Sequence, residues 1–62
     1  MHVTLLDENA AAKYLALSPF TLRRWRCERK GPAYLKVGKR AVRYDLADLE
    51  TFIRRSKVKR QS

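Results

Sequence analysis

The punctuation of the chain, Ser18-Pro19 and Gly31-Pro32, does most to limit what these 62 residues can become. A serine oxygen accepts from the free amides at a helix start, and proline at the first helical position gives up an N–H that had no partner there. A helix therefore begins at 19 and runs to about 28, until Gly31-Pro32 forbids continuation and opens an extended segment. Upstream, Asp7 follows the apolar pair Leu5 and Leu6, and Ala11, Ala12 and Leu15 recur at helical spacing. Asp7 thus reads as the N-cap of a first helix over about 8 to 16. Only two or three residues part the two helices, the length of a tight interhelical turn.

From Ala33 the period changes. Tyr34-Leu35-Lys36-Val37 and Ala41-Val42-Arg43-Tyr44 read as two short strands around Gly38-Lys39-Arg40, a hairpin with a basic tip or, more plainly, a solvated turn. Asp45 with Asp48 three residues on resembles a capping box, and Leu46, Leu49, Phe52 and Ile53 then form the apolar face of a third helix. The segment from Arg54 to Ser62 is too charged to pack, and its end is expected to be disordered. The expected fold class is mainly α with a small β-hairpin, as one domain over 1–56 and a basic tail over 57–62.

Length and composition narrow the function. A chain this short buries only about 60 % of the surface exposed when unfolded, so its core is small. Its single Cys27 makes no internal disulfide, and its single His2, near the fraying start, makes no metal cluster. The apolar runs fall far short of a membrane span, no export-signal pattern opens the sequence, and a cytoplasmic location is expected. Against 15 Lys and Arg stand 6 Asp and Glu, a net charge of +9 that points to a polyanionic partner. The charge is concentrated: residues 18 to 44 carry nine bases against Glu28 alone, and residues 54 to 62 carry five with no acid. Residues 45 to 53 carry Asp45, Asp48 and Glu50 with no base.

The sequence from Leu5 to Ile53 resembles the small winged helix-turn-helix domains of excisionases and AlpA-type regulators, which are related to the DNA-binding half of MerR proteins. The resemblance rests on Ala11-Ala12-Lys13-Tyr14-Leu15, the run Ser18 to Arg26, the run Gly31 to Arg40, and Arg43-Tyr44 followed by Asp48-Leu49-Glu50. It implies three helices plus a wing, with the second helix in the major groove of double-stranded DNA and the wing near the minor groove or its flanking backbone. Three residues depart from the family pattern. Ala16 stands where the turn often has glycine, and a residue with a Cβ adopts a left-handed conformation there at a cost of roughly 1 kcal/mol. Phe20 and Cys27 replace the more usual polar residues on the outer face of the second helix.

At 100° per residue Leu22, Trp25 and Arg26 share one side of that helix, and Phe20, Arg23, Arg24 and Cys27 the other. Leu22 and Trp25 are assigned to the core. Ser18, Pro19, Phe20, Thr21, Arg23, Arg24 and Cys27 form the candidate recognition surface, where arginine can bridge guanine O6 and N7 and an apolar ring can meet a thymine methyl. The alternative is a solvated arginine face with Phe20 folded back on Leu5 or Leu6. Thr21, at the helix start, and Arg23, on the rim, suit phosphate contact, as do Lys36, Lys39, Arg40 and Arg43 of the wing. Arg26 is expected to pair with Asp45 or Asp48. Arg54, Arg55, Lys57, Lys59 and Arg60 serve either a protein contact or a DNA arm.

No Ser/His/Asp set, paired histidines or phosphate loop supports catalysis, so neither an enzyme nor a cofactor is expected. The basic tail lacks the apolar face of a membrane-surface helix, and the absence of an aromatic pair on a sheet disfavours stacking on single-stranded RNA. The resemblance implies an excisionase, or recombination directionality factor, that bends attachment-site DNA and assists a tyrosine integrase. It also admits an AlpA-type transcriptional regulator, and an adaptor for an acidic protein is a reading of another class. Further copies on adjacent DNA sites are a possible partner, since no symmetric dimerisation element is evident.

Overall fold

A computed structural model describes residues 3–58 of the chain. The element order is β1 (Leu5–Leu6), α1 (Glu8–Tyr14), α2 (Pro19–Cys27), β2 (Leu35–Val37), β3 (Ala41–Asp45) and α3 (Leu46–Ser56). All three helices start where a side chain caps them. Asp7 Oδ1 accepts from Ala10 N at 2.8 Å, Ser18 Oγ from Phe20 N at 3.1 Å and Asp45 Oδ1 from Ala47 N at 3.0 Å. Each relieves an amide that has no partner within its helix.

The helix ends differ from the sequence reading. α1 stops at Tyr14 rather than 16, because Ala16 is left-handed at φ 58° and turns the chain. Ala16 N then donates to Lys13 O at 3.1 Å and Leu17 N to Ala12 O at 2.8 Å, the paired bonds of a Schellman motif. α2 ends the same way one residue short of 28. Arg29 is left-handed at φ 59°, and Lys30 N reaches back to Trp25 O at 2.9 Å. Arg29 thus turns the chain two residues before the Gly31-Pro32 pair that was expected to forbid continuation. Gly31 meets a different need: at φ 88°, a Cβ placed there would lie 2.6 Å from Trp25 Cε3.

β3 is the centre of a three-stranded antiparallel sheet of order β1-β3-β2. β2 pairs with it across the turn at residues 38–40, with Val37 opposite Ala41 and Leu35 opposite Arg43. The third strand, β1, places Leu5 opposite Asp45 and Leu6 opposite Tyr44, and was not foreseen as a strand. Just beyond that pairing, Leu46 N donates to Thr4 O at 2.9 Å and ties the start of α3 to the N-terminal segment.

The core consists of Ala11, Ala12, Leu22, Tyr44 and Leu49, with Leu6, Leu15, Trp25 and Val42 packed against it. Ala11 and Ala12 are small enough for α1 to approach α2 and β3 closely. Trp25 meets Phe52 with ring centroids 5.7 Å apart and planes tilted by 55°, which joins α2 to α3. Leu49 is buried and Leu46 and Phe52 are half-buried, as their spacing predicts, but Ile53 is 38 % exposed and lies off the core face. α3 also extends through Arg54, Arg55 and Ser56, which open the charged segment that was expected not to pack. Cations in a last helical turn complement the C-terminal dipole, and Ser56 Oγ closes the turn onto Phe52 O at 2.8 Å. The expectations for His2, Lys59 and Arg60 lie outside the described residues.

Two helices joined by a tight turn, a hairpin wing and a closing third helix make a winged helix-turn-helix. Because Ala16 bears the left-handed strain of its turn, Ala16→Gly should raise stability by about 0.5–1 kcal/mol. Chemical denaturation of the two proteins side by side measures the difference, and a loss of stability on substitution contradicts the strain.

Candidate nucleic-acid interface

α2 divides its residues as its periodicity requires. Leu22 is buried and Trp25 half-buried, while Phe20, Arg23, Arg24 and Cys27 are exposed. Phe20 is 72 % exposed, so it does not fold back on Leu5 or Leu6. Instead the Arg23 guanidinium carbon lies 5.2 Å from its ring centroid. Ser18 and Pro19 are committed to starting the helix, and Thr21 is half-buried in its first turn.

The wing stands beside this face. An open groove of about 420 Å³ is lined by Arg23, Arg26 and Cys27 from α2, by Tyr34, Lys36 and Val42, and by Lys39 and Arg40 from the turn. The fold therefore brings together two sets of basic residues that the sequence keeps apart. The register explains Lys36: it pairs with Val42, on the face of the sheet that Tyr44 also occupies. Arg43 faces elsewhere, with its Nη1 donating to Val42 O at 2.8 Å and its side chain lining a neighbouring groove with Asp7, Glu8 and Asn9. Arg24 and Phe20 lie outside both grooves, on the open side of α2. Arg54, Arg55 and Lys57 belong to the end of α3, and none of them lines either groove.

Arg26 pairs with neither Asp45 nor Asp48. Its Nη2 donates to Glu8 Oε1 and its Nη1 to the Tyr44 hydroxyl, each at 2.8 Å. Asp45 is occupied in capping α3, whereas Glu8 stands where α1 begins to pack against α2. Glu8 also receives Arg23 Nη2 on Oε2 at 2.8 Å, so one carboxylate binds two arginines of α2. Arg23, expected as a free phosphate contact on the rim, is thus already engaged within the protein. The ring of Tyr34 adds a cation–π contact, 5.7 Å from the Arg26 guanidinium carbon. The sequence shows Glu8 only as one acid near a helix start, and nothing local identifies partners 15 and 18 positions away.

The hydrogen bond from Arg23 holds the Glu8 carboxyl below its ordinary range, partial burial opposes that shift, and Arg26 reinforces it. Among the described residues, Arg24, Lys36, Lys39 and Arg40 carry no ion pair. No group of His, Cys, Asp and Glu there could hold a metal ion, and no helix is long and apolar enough to cross a membrane.

The profile of the helix-turn-helix domain family matches residues 5–57. The chain belongs to that family. No curated protein and no solved structure matched it. Membership gives the helix-turn-helix domain its functional class, DNA binding, in a family that is typically not enzymatic. It also agrees with the division of α2 into a buried face and an exposed basic one.

The Glu8 cluster leads to two expected outcomes. Tyr44→Phe removes the oxygen that receives Arg26 and should cost about 1.5 to 3 kcal/mol of stability, measured by denaturant unfolding. A lowered carboxyl in the folded state adds stability above its unfolded value, and that stability is lost as pH falls through its folded value. The protein should therefore weaken on acidification below about pH 4.5, and Glu8→Gln should weaken less over the same interval. Thermal melts across that range test the sign.

Proposed function

We infer that this helix-turn-helix domain is a sequence-specific double-stranded DNA-binding protein, and that its task is that of an excisionase. The observation that carries DNA recognition is the exposed face of α2, with Phe20 and the unpaired Arg24, beside a wing tip whose Lys39 and Arg40 are also unpaired. A helix presenting such a face fits the major groove, and a basic tip set to one side reaches the flanking backbone or the minor groove. Arg24 is assigned to a base edge, with Lys36, Lys39, Arg40 and the start of α2 around Thr21 assigned to phosphates.

The excisionase task rests on the resemblance of the sequence blocks from Leu5 to Ile53. In that role it bends attachment-site DNA and assists a tyrosine integrase, with the end of α3 and the tail serving as the protein contact. An AlpA-type regulator uses the same face at a promoter. Footprinting on attachment-site DNA and on the protein's own promoter region distinguishes the two tasks. Protection of the promoter alone refutes the excisionase task.

Base contacts carry sequence information and phosphate contacts do not. Arg24→Ala should cost about 1 to 3 kcal/mol on the preferred site and flatten the preference at one base pair. Lys39→Ala should weaken every duplex alike. With about six phosphates engaged, log K should fall against log salt with a slope near −5, and Lys39→Ala should reduce that slope by about one. Titrations of specific duplex, random duplex and single strand over a salt series measure both effects. Equal affinity for all three contradicts sequence-specific duplex recognition.

A further inference from the structure

Of the two arginines held by Glu8, Arg26 is 17 % exposed and linked to Tyr44, whereas Arg23 is 55 % exposed and faces the open side of the cluster. Arg26 and Tyr44 fix Glu8 from behind, so the carboxylate cannot simply follow Arg23 outward. If Arg23 left for a phosphate, Glu8 Oε2 would lose its donor on a side chain only 19 % exposed while Oε1 kept Arg26, and leaving an oxygen so shielded without its partner is costly. Phe20 adds a second restraint from its ring face. The guanidinium is therefore charge-paired and held in orientation, while more than half of its side chain remains accessible.

A guanidinium whose charge is already paired by a carboxylate gains less from a phosphate than a free one does, whereas a forked hydrogen bond to a base edge needs a planar donor held in orientation. We propose that Glu8 is a specificity-determining residue, which by holding Arg23 keeps it off the phosphates and presents it as a fixed reader of a guanine edge. This rests on the DNA-binding reading given above and adds a second base contact to that of Arg24. Glu8 itself touches no DNA. It acts as a positioning residue through Arg23.

The consequences separate cleanly in a double-substitution cycle. Selection from randomised duplex by the unaltered full chain first supplies its preference profile. Arg23→Ala should remove the preference for guanine at one position, by about 5- to 150-fold, and leave the salt slope on random duplex unchanged. Glu8→Gln should lose preference at the same position. It should also steepen the slope by about 0.9, because Arg23 becomes free to find a phosphate. Between 50 and 200 mM salt, that steepening corresponds to an additional loss of about 3.5-fold in affinity. Arg23→Ala placed in the Glu8→Gln protein should abolish the gain in slope.

A reduced slope for Arg23→Ala alone overturns the proposal, since Arg23 would then be a phosphate contact already. Retention of the steeper slope in the double variant also overturns it, because Glu8 would be acting by direct repulsion of DNA. If Glu8→Gln fails to fold, the Arg23→Ala profile and slope decide the matter alone. An unaltered chain that selects no sequence refutes the recognition reading itself and this inference with it. A selected sequence with Arg23→Ala unchanged in preference refutes only the inference.

Discussion

Arg26 is the point at which α1, α2 and β3 are fastened together. It rises from α2, bonds Glu8 of α1 on one nitrogen and the hydroxyl of Tyr44 in β3 on another, and lies against Tyr34 at the entry to the wing. A guanidinium offers five donors in a rigid plane and stays charged, so it can serve several acceptors and an aromatic face at once. The buried hydrophobic cluster among the described residues is small, so a polar hub that ties α2 to α1 and β3 adds to what apolar packing provides. The price of such a hub is desolvation, and here it is moderated because Arg26 sits at the core edge with each hydrogen bond charge-assisted. No buried side-chain nitrogen or oxygen among the described residues is left without a partner.

That arrangement connects stability to recognition. The carboxylate that secures Arg26 also holds Arg23, so one side chain both ties α2 to α1 and sets the state of an arginine on the exposed face of α2. The groove between α2 and the wing inherits its shape from the same residues, since Arg23, Arg26, Tyr34 and Val42 all line it. A change at Glu8 or Tyr44 is therefore a change in how the basic surface is presented, even though Tyr44 is buried.

The starts of the helices were legible in the sequence because caps are local. Asp7, Ser18 and Asp45 announce themselves by residue type and by the helix-forming residues directly after them, and all three accept from a first-turn amide, although Asp45 takes Ala47 N rather than the Asp48 N of the expected capping box. The ends were less legible. Ala16 takes the left-handed conformation that the family pattern implied at its position, but nothing marked Arg29 for one, and at both the Schellman bonds outweigh the intrinsic cost. A strand of two residues has no period to detect, so β1 emerges only from its pairing with β3. The exposed face of α2 is set by angular spacing, but Arg26 found its acid through tertiary packing, and local reasoning pointed to the wrong helix. Ile53 failed for a related reason: a helix face broad enough for four apolar residues met a core that covers only part of it.

The distribution of acids gives the charge of this protein its meaning. Asp7 and Asp45 cap helices, Glu8 binds two arginines, and Glu28 pairs with Lys30 at 3.1 Å. Four of the six acids thus serve local structure, while Arg24, Lys36, Lys39 and Arg40 stand without an ion pair among the described residues. Unpaired like charges repel and weaken a compact state, so leaving them open works against a domain with so small a core. The acids that could relieve the repulsion lie elsewhere: Asp48 and Glu50 belong to α3, in a stretch with no base between Asp45 and Ile53. On the proposed reading, a polyanion bound across α2 and the wing supplies the compensation that the protein itself lacks there. It also releases the counterions that such a surface and its partner otherwise hold, which turns a source of instability in the free domain into affinity in the complex.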